Sequence, residues 1–209
     1  MAGNSVSTAP AIAAIAFDLG NVLIRVDHHR FCRRLGEAAG VSPWEVYEQV
    51  FASGLEPAYD TGRLSSQEFF QEVCRRFRID LPFALFAQWW QDIFDPLESM
   101  DEVVEELSRR FPLFLVSNTN ALHFPHVHQR FPVLHRMRRF ILSYQVGSRK
   151  PEPGIYQALI REIPCAPGEC LFVDDLAPFV AAARRHGLRA WQFSTPEDFR
   201  RRLRQHGLY

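Results

Sequence analysis

Long hydrophobic runs are missing from this chain. The longest clean apolar stretch runs only from Ala11 to Phe17. A membrane-spanning helix needs roughly 20 such residues, so no membrane role is expected. Charge of one sign is missing as well. Among 209 residues, 24 Lys plus Arg balance 24 Asp plus Glu, and the pI is about 7.1. With no global basic field, neither nucleic acid nor an anionic membrane is an expected partner. Cysteine is sparse. Cys32, Cys74, Cys165 and Cys170 are scattered without a CxxC spacing, which reads as free thiols in a cytosolic protein. The first ten residues, MAGNSVSTAP, lack the basic and apolar regions of a secretory leader. They read as a flexible lead-in, and a cytoplasmic location is expected. No 20–50-residue repeat and no low-complexity linker is visible.

What is present is an ordinary globular composition, 47% hydrophobic and 23% charged. The length suits one domain, or a core domain carrying a modest insert. Short apolar runs recur: IAAIAFD (12–18), PLFLVSN (112–118), RFILS (139–143), CLFVD (170–174) and LRAWQF (188–193). Runs apolar throughout suit strands buried on both faces of a parallel sheet. Helix-length stretches separate the later ones, the βαβ rhythm of an α/β fold. Between Ile24 and Met100 no strand-like run is expected. Helix starts follow one another instead. Ser42-Pro43-Trp44-Glu45 and Ser65-Ser66-Gln67-Glu68 are capping boxes, Pro82 opens FALFAQWWQDIF, and Pro96 precedes MDEVVEELSRRF. The chain therefore divides into an α/β core at 11–24 and 100–209, interrupted by an all-helical insert at 25–99.

In open parallel sheets, ligands bind beyond the carboxyl ends of the strands. The first run ends in Asp18-Leu19-Gly20-Asn21, the second in Ser117-Asn118-Thr119-Asn120, and the fourth in Asp174-Asp175, while Gly147-Ser148-Arg149-Lys150-Pro151 lies in a later loop. A carboxylate after a buried strand is costly to desolvate unless it has a partner or a task. Hydroxyls and amides at a strand-to-helix turn suit an anion. Two adjacent carboxylates repel, which suggests a divalent cation. Singly each signal is weak; the order Asp, Ser, Lys, Asp-Asp is specific.

In that order the chain resembles the haloacid dehalogenase-like (HAD) hydrolase superfamily. FDLGNVLI resembles its first motif, LVSNTN its second, Lys150 of GSRKPEPGIY its third and LFVDD its fourth. The resemblance spans Ala11 to Phe193. It implies a Rossmann-like parallel-sheet core with an inserted helical C1-type cap, in which TGRLSSQEF (61–69) resembles a stretch common in such caps. It also implies phosphoryl transfer through an aspartyl-phosphate on Asp18, on a small phosphorylated metabolite such as a sugar phosphate. Mg²⁺ is the implied cofactor, held by Asp18, the Gly20 carbonyl and Asp175, with Asp174 either ligating or holding a metal-bound water. Lys150 would neutralise phosphate oxygens, Ser117 would hydrogen-bond one, and Asn118 could orient another.

One departure stands out. The usual phosphatase pattern has a second Asp, a general acid and base, where this chain has Gly20. Losing such a group typically costs about 10²–10⁴-fold. Asp27, His28, His29 or a substrate-bound water are candidate replacements, and nothing in the sequence selects one. FDLGNV nonetheless resembles a branch that includes phosphatases of small sugar phosphates. The runner-up activity is a metal-independent 2-haloacid dehalogenase; such relatives also lack the second Asp but do not keep the Asp-Asp pair. A catalytically silent interaction protein is the third reading. His123, His126 and His128 read as surface histidines, Trp89-Trp90 as core of the insert, Arg63 as solvated, and the basic C-terminal stretch as a solvated helix face. Asp60 and Gly62 lie in a turn that could approach the site.

Overall fold

The apolar runs pair into one sheet. The computed structural model describes residues 11–209; the flexible lead-in expected at 1–10 lies outside the described residues. Strands β1 (Ala14–Phe17), β4 (Leu113–Ser117), β5 (Arg139–Leu142), β6 (Cys170–Asp174) and β7 (Arg189–Gln192) form a parallel sheet in the order β5-β4-β1-β6-β7. β1 is central, with Ile15 in register with Leu113 on one side and Leu171 on the other. Every residue of β1, β4 and β6 is buried. Helices cover both faces, so both sets of alternating side chains must be apolar. Ile15, Phe17, Leu115 and Val173 face one core; Ala14, Ala16, Phe114 and Phe172 face the other.

Between β1 and β4 the structure corrects one expectation. Two short strands, β2 (Ile24–Val26) and β3 (Phe94–Pro96), pair antiparallel where no strand was expected. At three residues each they are too short to show a period of two. They bracket a helical segment containing α1 (His28–Ala39), α2 (Pro43–Tyr47), a π-helical turn at Glu48–Ala52, α3 (Leu55–Asp60), α4 (Ser66–Phe77) and α5 (Phe83–Gln91). Its helix starts follow the capping signals. Ser42 Oγ accepts from the Glu45 amide at 3.1 Å. Ser65 and Glu68 complete a reciprocal box, satisfying donors that a helix N-terminus otherwise leaves orphaned.

The segment has its own aromatic centre. Phe31 meets Phe86 and Trp90 edge-on at 5.7 and 4.8 Å, and Phe69 lies 4.8 Å from Trp90. Trp90 is fully buried, as a core reading requires. The segment also touches the core closely, at the helical turn Ser143–Val146 that follows β5. Gly62 has φ 70° and lies where a Cβ would meet the Tyr144 carbonyl oxygen at 2.5 Å. Only glycine permits that backbone conformation and that approach together.

Candidate active site

The carboxyl ends of β1, β4 and β6 converge on the floor of a cavity of about 410 Å³. Asp18 leaves β1 with its amide donating to the Val173 carbonyl at 2.8 Å, which fixes it beside β6. Lys150 Nζ lies 2.6 Å from Asp18 Oδ1 and 2.7 Å from Asp174 Oδ2. Lys150 is 1% exposed and Asp174 is wholly buried, so this ammonium sits between two carboxylates out of water. The rings of Phe179 and Phe172 flank it at 5.3 and 5.7 Å, a further electrostatic support for a buried cation.

Each partner is held from behind. Asp174 Oδ1 accepts from the Leu176 amide at 2.9 Å. Asn118 Oδ1 accepts from the Lys150 amide at 2.7 Å while its Nδ2 donates to the Lys150 carbonyl at 3.0 Å. Asn118, which could orient a phosphate oxygen, lines the cavity, and both ends of its amide clasp the Lys150 peptide and position the lysine. Ser117 is buried and lines the cavity, and its hydroxyl makes one long bond, 3.3 Å, to the Asn118 carbonyl. That leaves it available to a ligand.

The floor carries more negative charge than Lys150 can balance. Ligand oxygens of Asp18, Asp174 and Asp175 all lie within 4.8 Å of one another. Burial raises the Asp18 carboxyl to about 7; Lys150 lowers it and Asp174 raises it. Burial pulls Lys150 down, but Asp18 and Asp174 reverse this and leave it above its ordinary value. Asp175 is raised by burial and by Asp174. Three carboxylates facing one ammonium form a donor set of hard oxygens suited to a divalent cation. Gly20 lines the same cavity, and its carbonyl accepts no hydrogen bond among the described residues. The residues present thus fit a magnesium site.

The helical segment forms the opposite wall. His28, Tyr47, Phe51, Glu56 and Asp60 line it. Of Asp27, His28 and His29, only His28 is on the cavity, 4.7 Å from the Phe51 ring. Burial brings its imidazole down to about 4, against the pull of Asp27. Asp60 is 3% exposed and accepts from Asn120 Nδ2 at 3.0 Å. Burial raises it to about 6, and burial with Asp60 alongside raises Glu56 to about 8. Arg63, in the same turn as Asp60, is exposed and bonds Thr61 instead.

His123 corrects a second expectation. It is 6% exposed and lines the cavity, not a surface loop. Its Nε2 lies 2.8 Å from the Trp90 carbonyl and its Nδ1 3.1 Å from Asn120 Nδ2. An amide donor at one nitrogen and a carbonyl acceptor at the other assign the neutral Nε2–H tautomer. Burial holds this imidazole near 3. His123 and Asn120 tie the segment to the sheet through Trp90 and Asp60.

The model of the haloacid dehalogenase-like hydrolases matches residues 12–187. The chain belongs to that family. This hydrolase is 27% identical over 203 residues to a protein of Bacteroides thetaiotaomicron named D-ribitol-5-phosphate phosphatase, covering 92% of this chain and 97% of that one. It is 27% identical over 195 residues to the Mycobacterium tuberculosis protein named Phosphatase MT3486, covering 87% of each. A HAD family enzyme of B. thetaiotaomicron, solved with magnesium and inorganic phosphate, superposes with a TM-score of 0.80 at 22% identity, over 88% of this hydrolase and 96% of that chain. No helix among the described residues is long and apolar enough to cross a membrane.

Of the wall residues, His28 and Asp60 are marked in the sequence, as a candidate proton donor and as part of a turn that could approach the site. Glu56 and His123 line the cavity but carry no motif that marks them, and Arg149 lines it beside the motif residue Lys150. The usable signal was indirect: Asp60 precedes Thr61-Gly62, the turn that the buried approach to Tyr144 requires.

Proposed function

We propose that this hydrolase is a magnesium-dependent phosphomonoesterase of small phosphorylated metabolites, with Asp18 as nucleophile. The observation that carries the reading is the Asp18–Lys150–Asp174 floor, where a buried carboxylate at a strand end is aligned by an ammonium that, together with a divalent cation, would offset the charge of a phosphate. Asp18, Asp175 and the Gly20 carbonyl would hold the cation, with Asp174 ligating or holding a bound water. When bound, it offsets the charge of the carboxylates and of the phosphate.

This chain's residues do the rest. Lys150 and Ser117 bind the phosphoryl oxygens. An Asp18 oxygen attacks phosphorus, the bond to the substrate oxygen breaks, and the phosphoryl group rests on Asp18. Water then attacks phosphorus, freeing Asp18 and inorganic phosphate. Its two protons end on the departed oxygen and on the phosphate. Gly20 offers no proton to the leaving oxygen, so good leaving groups are favoured. A Cβ there would lie 3.1 Å from Val26 Cγ2, so β2 crowds the place where the second Asp would stand. The relative named for ribitol 5-phosphate supports a polyol or sugar phosphate as substrate. A metal-free dehalogenase would leave Asp174 and Asp175 to share Lys150 with Asp18, which argues against that reading.

The test is hydrolysis of p-nitrophenyl phosphate with and without Mg²⁺. Turnover that requires the cation and disappears in Asp18→Asn is expected. Metal-independent release of halide from a 2-haloacid, without phosphatase activity, would overturn the proposal.

A further inference from the structure

We propose that the helical wall is a hydroxyl-recognition subsite: Glu56 and Asp60 accept hydrogen bonds from hydroxyl groups along the substrate's carbon chain, and Arg149 donates to them. The inference deepens the phosphatase reading and rests on it. With the phosphate on the floor, the rest of the substrate faces this wall.

Asp60 is 3% exposed and lines the cavity, yet only its Oδ1 is bonded, by Asn120; no bond among the described residues takes Oδ2. Glu56 stands one helical turn earlier on α3, lines the same cavity, and has no hydrogen-bond partner among the described residues. Glu56 is half-buried and Asp60 buried, and both line the cavity with oxygens that take no bond from the described residues, so they are available to the donors of a bound molecule. Arg149 lines the cavity from the loop before Lys150. It attracts both carboxyls electrostatically, but no ion pair joins it to either. Two acceptors and one forked donor therefore converge on one space with their mutual bonds unmade.

A hydroxyl both donates and accepts, so it satisfies all three groups at once. An ammonium would suit the carboxyls and be repelled by Arg149. An alkyl chain would leave every one of them stripped of water. Tyr47 and Phe51 line the same wall and offer rings to the C–H edges of a carbon chain. At about 410 Å³ the cavity lies near the small end of the roughly 300–1,000 Å³ typical of small-molecule sites, which fits a compact polyol phosphate.

The experiment compares D-ribitol 5-phosphate with n-pentyl phosphate, the same chain length with and without hydroxyls. The wild type is expected to prefer the polyol. Glu56→Leu should reduce the ratio of kcat/KM for the two substrates roughly 10- to 100-fold, and Glu56→Gln, which keeps an acceptor oxygen, should reduce it less. A ratio cancels any loss of active protein. An unchanged ratio in Glu56→Leu overturns the proposal. If the wild type hydrolyses neither compound, p-nitrophenyl phosphate decides the phosphatase reading separately, and calorimetry decides the subsite: ribitol 5-phosphate should bind Glu56→Leu at least about tenfold more weakly than the wild type, and equal affinity overturns it.

Discussion

The floor and the wall of this cavity are built from the same kinds of groups in opposite states. On the floor, Lys150 contacts both Asp18 and Asp174, and Asn118 clasps the lysine backbone from behind. On the wall, Glu56 meets no partner among the described residues, and Asp60 spends one oxygen on Asn120. The floor rises from three parallel strands locked in register; the wall stands on a six-residue helix, α3. Groups that must meet the same phosphate in every turnover are aligned in advance, which is where electrostatic preorganisation acts. Groups proposed to read the variable part of a substrate keep oxygens unbonded among the described residues.

The strongest way to break this comparison is at the nucleophile. Asp18→Asn should reduce turnover by roughly 10⁴-fold or more while the protein stays folded, because Lys150 keeps Asp174 as its partner. Steady-state kinetics and circular dichroism check both halves. Next comes Lys150→Ala. It leaves two buried carboxylates without their cation, at a cost of about 3–5 kcal/mol in urea unfolding, and the lost charge should lower turnover about 10²–10³-fold.

The wall should answer in the opposite sense. Glu56 titrates near 8 in the folded chain against an ordinary 4.5. Below pH 4.5 it is protonated in both states and costs nothing. As pH rises from 4.5 to 8, the unfolded chain ionises and the folded one resists, so stability falls. Glu56→Gln should therefore gain on the order of 1–3 kcal/mol at pH 8 and nothing at pH 4. A loss at pH 8 would show that Glu56 stabilises the fold, against the contrast drawn here.

The smallest effect belongs to the seam between the two regions. His123 is held near 3 against an ordinary 6.5. As pH falls below 6.5 the unfolded chain takes up a proton that the folded chain refuses. Between pH 6.5 and 5.5 the wild type should lose about 1 kcal/mol more than His123→Gln, read from paired denaturant curves.

What was legible in the sequence follows the same division. The three central strands β1, β4 and β6 announce themselves because burial on both faces makes them almost wholly apolar, as in IAAIAFD and CLFVD, while the edge strands β5 and β7 keep an apolar middle between polar ends. Asp18, Ser117, Lys150 and the Asp174-Asp175 pair are visible because each sits where such a run, or the loop before a helix, ends. β2 and β3 were not visible, since three residues carry no period. Glu56 and Arg149 were not visible either. Nothing local distinguishes a carboxylate facing a cavity from one facing water. That difference arises only when α3 packs across the ends of strands distant in sequence. His123 was misread for the same reason: its burial depends on Trp90 and Asn120, and no neighbour in ALHFPHVHQRF reveals it.

The central claim is that the phosphoryl group passes through Asp18, and the stereochemistry at phosphorus tests it most directly. A phosphorothioate ester made chiral at phosphorus with two oxygen isotopes, hydrolysed in water of the third, yields a chiral inorganic thiophosphate and records each in-line displacement as one inversion. Two displacements, first by Asp18 and then by water, predict net retention of configuration. Net inversion would mean that water attacks the substrate directly, and would contradict the account.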